Sequence, residues 1–246
     1  MDITHENQLA EISRIIVEAY YKEKSIQPIG VKIEFTEDLY KRRLELAISK
    51  KDSSDVIESK EFISKLNGTI ILPAKLNDTP YILISNNTVN SNMLFISTKN
   101  HELTHIHDFY DFAKYHNVDI VSNIDRIYNY HIFYYWTEFH ARRNGYYFYN
   151  KFTNNNENIY EQIQHINKSE CPFHMEHLKN ELIKAQNNPK QFLYNIMQFL
   201  GRFSVWHDLF PEQFNQHTLP EELVSVFGIE LLTYMVFCTR TQLLKI

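Results

Sequence analysis

The sequence predicts an α+β fold, mostly helical, in which a small β-sheet packs on a helix carrying HELTH and on a second, glutamate-bearing helix, followed by a C-terminal helical region. Glycine and proline number only 5 and 7 in 246 residues, too few for the many turns of a β-sandwich or barrel. Apolar side chains recur at helical spacing through most of the chain, whereas β-rich runs cluster in one early region. With 17 Phe and 16 Tyr, there is ample material to bury a core.

Residues 8–22 place Leu9, Ile12, Ile15, Ile16 and Ala19 on one helical stripe. Val31–Phe35 alternates as a short strand does. Helices are expected over about 37–47 and 54–66, the second closed by Asn67 and Gly68. TIILP at 69–73 and YILIS at 81–85 are two β-rich runs parted by the turn-forming AKLNDTP, a hairpin or two neighbouring strands. MLFISTKNHELTHIHDFYDFAKYH, from Met93 to His116, then runs as one helix without Gly or Pro. A strongly aromatic helix follows over about 124–149, and the polar TNNNENI at 153–159 marks a boundary. Everything after it reads as helical, with breaks near Cys171 and Pro172, at the NNP of 187–189 and at Pro211. The chain therefore divides into an N-terminal helical region (1–66), a catalytic core (67–152) and a C-terminal helical region (153–246), with no solenoid repeat.

The net charge is −5 and the isoelectric point about 6.2, and no basic run is long enough to track a phosphate backbone, so direct nucleic-acid binding is not expected. The start is acidic and interrupted by Glu11, Arg14 and Glu18, unlike a secretory signal, which leads to the expectation of a cytoplasmic protein. Cys171 and Cys238 lie far apart and suit reduced thiols. Leu223–Thr239 is apolar, yet it is short for a membrane span and Glu230 falls near its middle. Thr218, Pro220, Glu221 and Glu222 form a helix start before it. A buried C-terminal helix is expected there, and no membrane partner.

His101, Glu102, Leu103, Thr104 and His105 spell HELTH, and histidines four apart on a helix share one face. Two imidazoles so placed can bind one zinc ion, which takes three protein ligands in a catalytic site and keeps a fourth position for water. Glu102 is then placed as general base, and the metal acidifies the water and polarises a peptide carbonyl. The third ligand is open between two residues. Asp111 lies six after His105, but Asp108 occupies the position where a Gly would turn the chain, so the helix should continue and carry Asp111 away. Glu138, in YYWTEFHARR, lies on a second helix and shares a face with His131, Arg142 and Tyr149.

HELTHIHDF on one helix, a strand region before it and the later EFHA together resemble the ImmA/IrrE-type gluzincins over about residues 65–150. The resemblance implies a small cytosolic zinc peptidase with His101, His105 and Glu138 as ligands, Glu102 as the catalytic residue and a repressor protein as substrate. Glu138 and Ala141 match the family's E-x-x-A pattern. Thr104 stands where Gly is common, 32 residues separate His105 from Glu138, and no helix-turn-helix module is recognisable in the N-terminal region.

Around the motif, Asp108 is either a partner for an imidazole N–H or a surface acid, and Arg142 either holds the Glu138 carboxylate or an oxyanion, or forms a plain helix ion pair. His131, Tyr134, Tyr146 and His207 are candidate oxyanion donors. His107 and His140 point off the ligand face. Cys171, His174 and His177 in CPFHMEH are expected in a surface turn, and Trp206, His207 and Asp208 in core packing at a helix end. The reading is a zinc metallopeptidase that cleaves a specific protein or peptide partner. The alternative is a catalytically inactive zincin-like regulatory or binding module. A di-iron bundle starting from ELTH would need a second ExxH, which the chain lacks.

Overall fold

The computed structural model describes residues 3–73, 75–117, 131–153, 158–215 and 218–228. The chain forms two compact units, Met1–Asp125 and Arg126–Ile246. The α+β, mostly helical class expected from the sequence is the one observed.

The first unit opens with α1 (Ile3–Lys24). Leu9, Ser13, Ile16 and Tyr20 are its buried stripe, at spacings of four, three and four. The stripe expected from apolar residues alone is thus rotated: Ile12 and Ile15 are 46% and 49% exposed, beside a surface ladder in which Arg14 pairs with Glu11 and Glu18. Strand β1 (Lys32–Thr36) follows, then α2 (Leu39–Glu45), capped by Asp38, whose carboxylate accepts from Lys41 N. The expected 54–66 helix is two pieces, α3 (Lys50–Glu58), capped by Ser49, and α4 (Lys60–Ile63). Ser59, at φ −92° and ψ 13°, bends the chain between them.

The two β-rich runs become β2 (Gly68–Ile71) and β3 (Tyr81–Ser85), paired antiparallel. The sheet order is β1-β3-β2, with β1 parallel to β3. A central strand is covered on both faces, so Ile82, Leu83 and Ile84 are wholly buried. Leu83 and Ile71 pack with Leu39, Val56 and Ile63 on the α2–α4 side. Helix α5 (Asn92–His116) packs on β2, β3 and α1. Ser91 caps its start, and Asn117, at φ 50° in the left-handed region, ends it.

In the second unit α6 (His131–Thr153) and α9 (Pro189–Leu209) pack along each other, joined by α7 (Ile159–His165) and α8 (Cys171–Lys184) and followed by α10 (Glu221–Phe227). Residues 124–130 of the expected aromatic helix, and most of the expected C-terminal helix, lie outside the described residues. The expected break at Cys171 and Pro172 is instead a π-helical turn, Ile166–Glu170, leading straight into α8. The helical backbone is continuous there, Cys171 N donating to the Ile166 carbonyl directly ahead of Pro172. The breaks at NNP and Pro211 occur as expected, Asn188 capping α9 and Leu209 ending it. Trp206, Phe203, Leu200 and Phe139 lie in this unit's core.

Among the described residues, no helix is long and apolar enough to cross a membrane.

Candidate metal centre

Helix α5 carries the motif near its middle. His101, Glu102 and His105 are 8%, 7% and 7% exposed. Four-residue spacing turns the two imidazoles to one side of the helix, where their Nε2 atoms lie 3.0 Å apart. The rings meet edge to face, with centroids 4.6 Å apart. Thr104 between them is held at both ends: its Oγ1 donates to the Asn100 carbonyl at 2.7 Å and lies 3.2 Å from Tyr20 Oη on α1. The place where the resembled family favours Gly thus holds a hydroxyl that ties the motif helix to α1.

Glu102 is placed by a close approach of the sheet. A Cβ added to Gly68, at the start of β2, would stand 2.7 Å from Thr98 Cγ2 and 3.2 Å from Glu102 Cγ. Only a residue without a side chain lets the strand lie that near the helix. In the sequence Gly68 has the place of a helix stop, and no periodicity reveals its role as the wall against Glu102.

Three neighbours on α5 acquire definite characters. Lys99 is wholly buried, burial pushes its amine down to about 7, and its Nζ sits 5.5 Å from the Phe95 ring centroid. His107 is buried against the rings of Tyr20 and Tyr21, at 5.8 and 5.1 Å. Burial holds its imidazole down to about 4, so it is a neutral core group. Asp108 is buried as well, which removes its reading as a surface acid. Asp111 is exposed, on a helix that continues through both positions, as the missing Gly implies.

In the second unit Glu138 lies on α6, 8% exposed. Burial pushes its carboxyl up to about 7, while the Arg142 charge and a hydrogen bond from Gln198 act in the opposite direction. Gln198, on α9, donates from Nε2 to Glu138 Oε2 at 2.8 Å, and its Oε1 accepts from Arg142 Nε. The amide therefore bridges guanidinium and carboxylate, a partner that sequence reasoning missed. What brings it close is Gly201, one turn further along α9: a Cβ there would stand 2.7 Å from the Phe139 carbonyl oxygen and 2.9 Å from Arg142 Cβ.

The other candidates have structural employment. Tyr146 Oη accepts from Trp206 Nε1 at 2.7 Å and donates to Glu170. His207 Nδ1 lies 2.6 Å from the Phe214 carbonyl oxygen. Tyr134 packs half-buried on the core. His140 stacks on Trp136 at 5.0 Å, and the His131 side chain lies outside the described residues. Cys171, His174 and His177 lie on α8 rather than in a turn. His174 lies between Trp206 and the edge of Phe173, on which His177 stacks, so both rings are engaged in aromatic packing.

Within the first unit, then, the structure brings His101 and His105 together with Glu102 beside them. Within the second it buries Glu138 under Gln198. Compared with known proteins, the chain matches no family model, no curated protein and no solved structure.

Proposed function

We propose that the chain is a zinc-dependent metallopeptidase, with His101, His105 and Glu138 as metal ligands and Glu102 as general base, acting on a protein inside the cell. The observation that carries this reading is the pair of buried imidazole nitrogens 3.0 Å apart. A cation about 2.0 to 2.1 Å from each nitrogen fits between them. His101, His105 and Glu138 each offer one buried ligand atom, and two imidazoles with a carboxylate are a zinc donor set that leaves a fourth position for water. A buried carboxyl pushed up to about 7 is costly to ionise alone, and a cation offsets that cost.

When bound, zinc supplies Lewis acidity toward the scissile carbonyl and lowers the pKa of a coordinated water. His101 and His105 contribute neutral Nε2 lone pairs, and Gln198 orients the Glu138 carboxylate through its amide. The Glu102 carboxylate takes the proton from the attacking water and returns it to the amine nitrogen of the broken peptide bond. Burial of Glu102 keeps bulk water from competing for that proton. The resemblance to ImmA/IrrE-type peptidases supports the narrower reading that the substrate is a transcriptional repressor.

The test is metal analysis paired with cleavage of a proteome-derived peptide library read by mass spectrometry. The purified chain should hold one zinc and generate new peptide termini. Glu102→Gln should keep the zinc and lose the cleavage. Undiminished cleavage by Glu102→Gln would overturn the assignment, and a chain that binds zinc but cuts nothing would instead favour a binding module.

A further inference from the structure

Strand β1 pairs with β3 on one side and, among the described residues, with no strand on the other. Lys32 N donates to the Pro80 carbonyl at 2.9 Å, in a parallel register of Lys32 with Tyr81. Backbone directions alternate along a strand, so Lys32, Glu34 and Thr36 turn their amides and carbonyls toward β3, and Ile33 and Phe35 turn theirs toward the open side. A groove of about 960 Å³ runs along that open side, between β1 and α1. Ile33 and Phe35 line it from the strand, and Leu9 and Val17 from the helix. Gly30 belongs to its lining, and an added Cβ there would meet nothing within 4 Å. The adjoining turn is fixed, because Tyr21 Oη donates to the Ile29 carbonyl at 2.8 Å and accepts from Ile29 N at 3.1 Å.

Three features say what the groove takes. A free strand edge with outward amides and carbonyls is a template for another extended chain. Ser13 Oγ and Asn86 Oδ1, on residues of the groove lining, are buried without a hydrogen-bond partner among the described residues. Buried polar atoms are nearly always paired, so the lining is incomplete as it stands. The charged side chains of the lining are Glu18, Glu34 and Glu37 against Arg14. Arg14 is shared between Glu11 and Glu18, and Glu34 is paired with Arg42, which is itself shared with Glu45, so each arginine faces two carboxylates and Glu37 adds a third acid to the lining. The surplus of carboxylates favours a basic occupant.

We infer that the groove between α1 and β1 binds an extended, basic peptide segment of a protein partner, added as a strand along the free edge of β1. The Ile33 and Phe35 backbones supply the ladder hydrogen bonds, apolar side chains on one face of the peptide fill the space between Leu9, Val17 and Phe35, and its cations meet Glu18 and Glu37. This inference shares no residue with the metal-site reading and stands or falls separately.

The test uses the full chain with EDTA present, so that no peptidase activity shortens the probe. The probe is a fluorescein-labelled peptide, Val-Lys-Val-Thr-Val-Lys-Val-Thr, followed by anisotropy. Saturable binding is expected, with a second peptide carrying Glu in place of Lys binding about tenfold more weakly. Ile33→Pro removes an outward donor without touching the ladder to β3, and Gly30→Trp puts a ring into the open space beside the lining. Each should weaken the Lys peptide about tenfold, with far-ultraviolet circular dichroism unchanged. Hydrogen exchange at the Ile33 and Phe35 amides should slow when the Lys peptide is added. No saturable binding, equal binding of both peptides, or unchanged binding by the folded Gly30→Trp variant would overturn the inference.

Discussion

Gln198 Nε2 donates a 2.8 Å hydrogen bond to Oε2 of Glu138, 60 residues away in the chain. The same amide accepts from Arg142 Nε, so the carboxylate is oriented by a neutral group that is itself held. Replacing a partner that orients a metal ligand costs about 10- to 100-fold in metal affinity. Gln198→Leu should therefore retain the fold and bind zinc at least about tenfold more weakly in a competition with a chromophoric chelator. Gln198→Glu would set a second acid against Glu138 and should also be defective.

Zinc should stabilise the chain through His101 and His105. A ligand present at 100 times its dissociation constant adds about 2.7 kcal/mol to the folded state. Thermal unfolding should shift upward with added zinc in the parent chain, and the shift should vanish in His105→Ala. An equal shift in both would place the metal elsewhere.

Gly68 sets the distance between β2 and Glu102. Gly68→Ala forces a methyl to 2.7 Å from Thr98 Cγ2, an overpacking that costs about 1–3 kcal/mol. Peptide cleavage should fall more steeply than stability, because the same methyl stands 3.2 Å from Cγ of Glu102, the proposed general base. Thr98→Ser removes the Cγ2 atom, so the double variant should recover much of both. Measuring kcat and chemical denaturation for all four chains separates the two effects.

Gly201 has no such escape. Its added Cβ would meet the Phe139 carbonyl oxygen at 2.7 Å and Arg143 N at 3.0 Å, and backbone does not swing aside as a flexible side chain does. Gly201→Ala should destabilise the second unit by about 1–3 kcal/mol. By parting α9 from α6 it should also weaken zinc binding in the way Gln198→Leu does.

His174 makes the second unit sensitive to acid. Burial, reinforced by the charges of Arg202, Arg142 and His177, holds its imidazole down to about 3, from an ordinary 6.5. The unfolded chain therefore takes up a proton near 6.5 that the folded chain refuses until about 3. The contribution to stability is complete above that window and falls as pH drops through it, by up to about 1.4 kcal/mol per pH unit. Both tryptophans, Trp136 and Trp206, belong to this unit, so their fluorescence follows its denaturation. His174→Phe, which retains a ring against Trp206, should show a shallower loss between pH 6.5 and 4.5.

What was legible in the sequence was what neighbouring residues determine. HELTH had to lie on a helix, since 24 residues from Met93 to His116 contain neither Gly nor Pro, and four-residue spacing then brought the two imidazoles together. The strands at TIILP and YILIS were marked by β-branched runs and a turn between them, and Asn188 before Pro189 marked a helix start. The stripe of α1 is ambiguous in the sequence because apolar residues fall on two adjacent faces. Only packing against α5 and the sheet decides that Ser13 is buried and that Ile12 and Ile15 face outward.

The sequence by itself determined the chemistry of the motif: two imidazoles and a carboxylate on one helix, with a fixed rise and rotation per residue. The tertiary structure decided how each of those groups is supported. Gly68 against Glu102, Tyr20 against Thr104 and Gln198 on Glu138 all join residues far apart in the chain. No local period encodes such pairs, because they arise from which elements bury their apolar faces against each other.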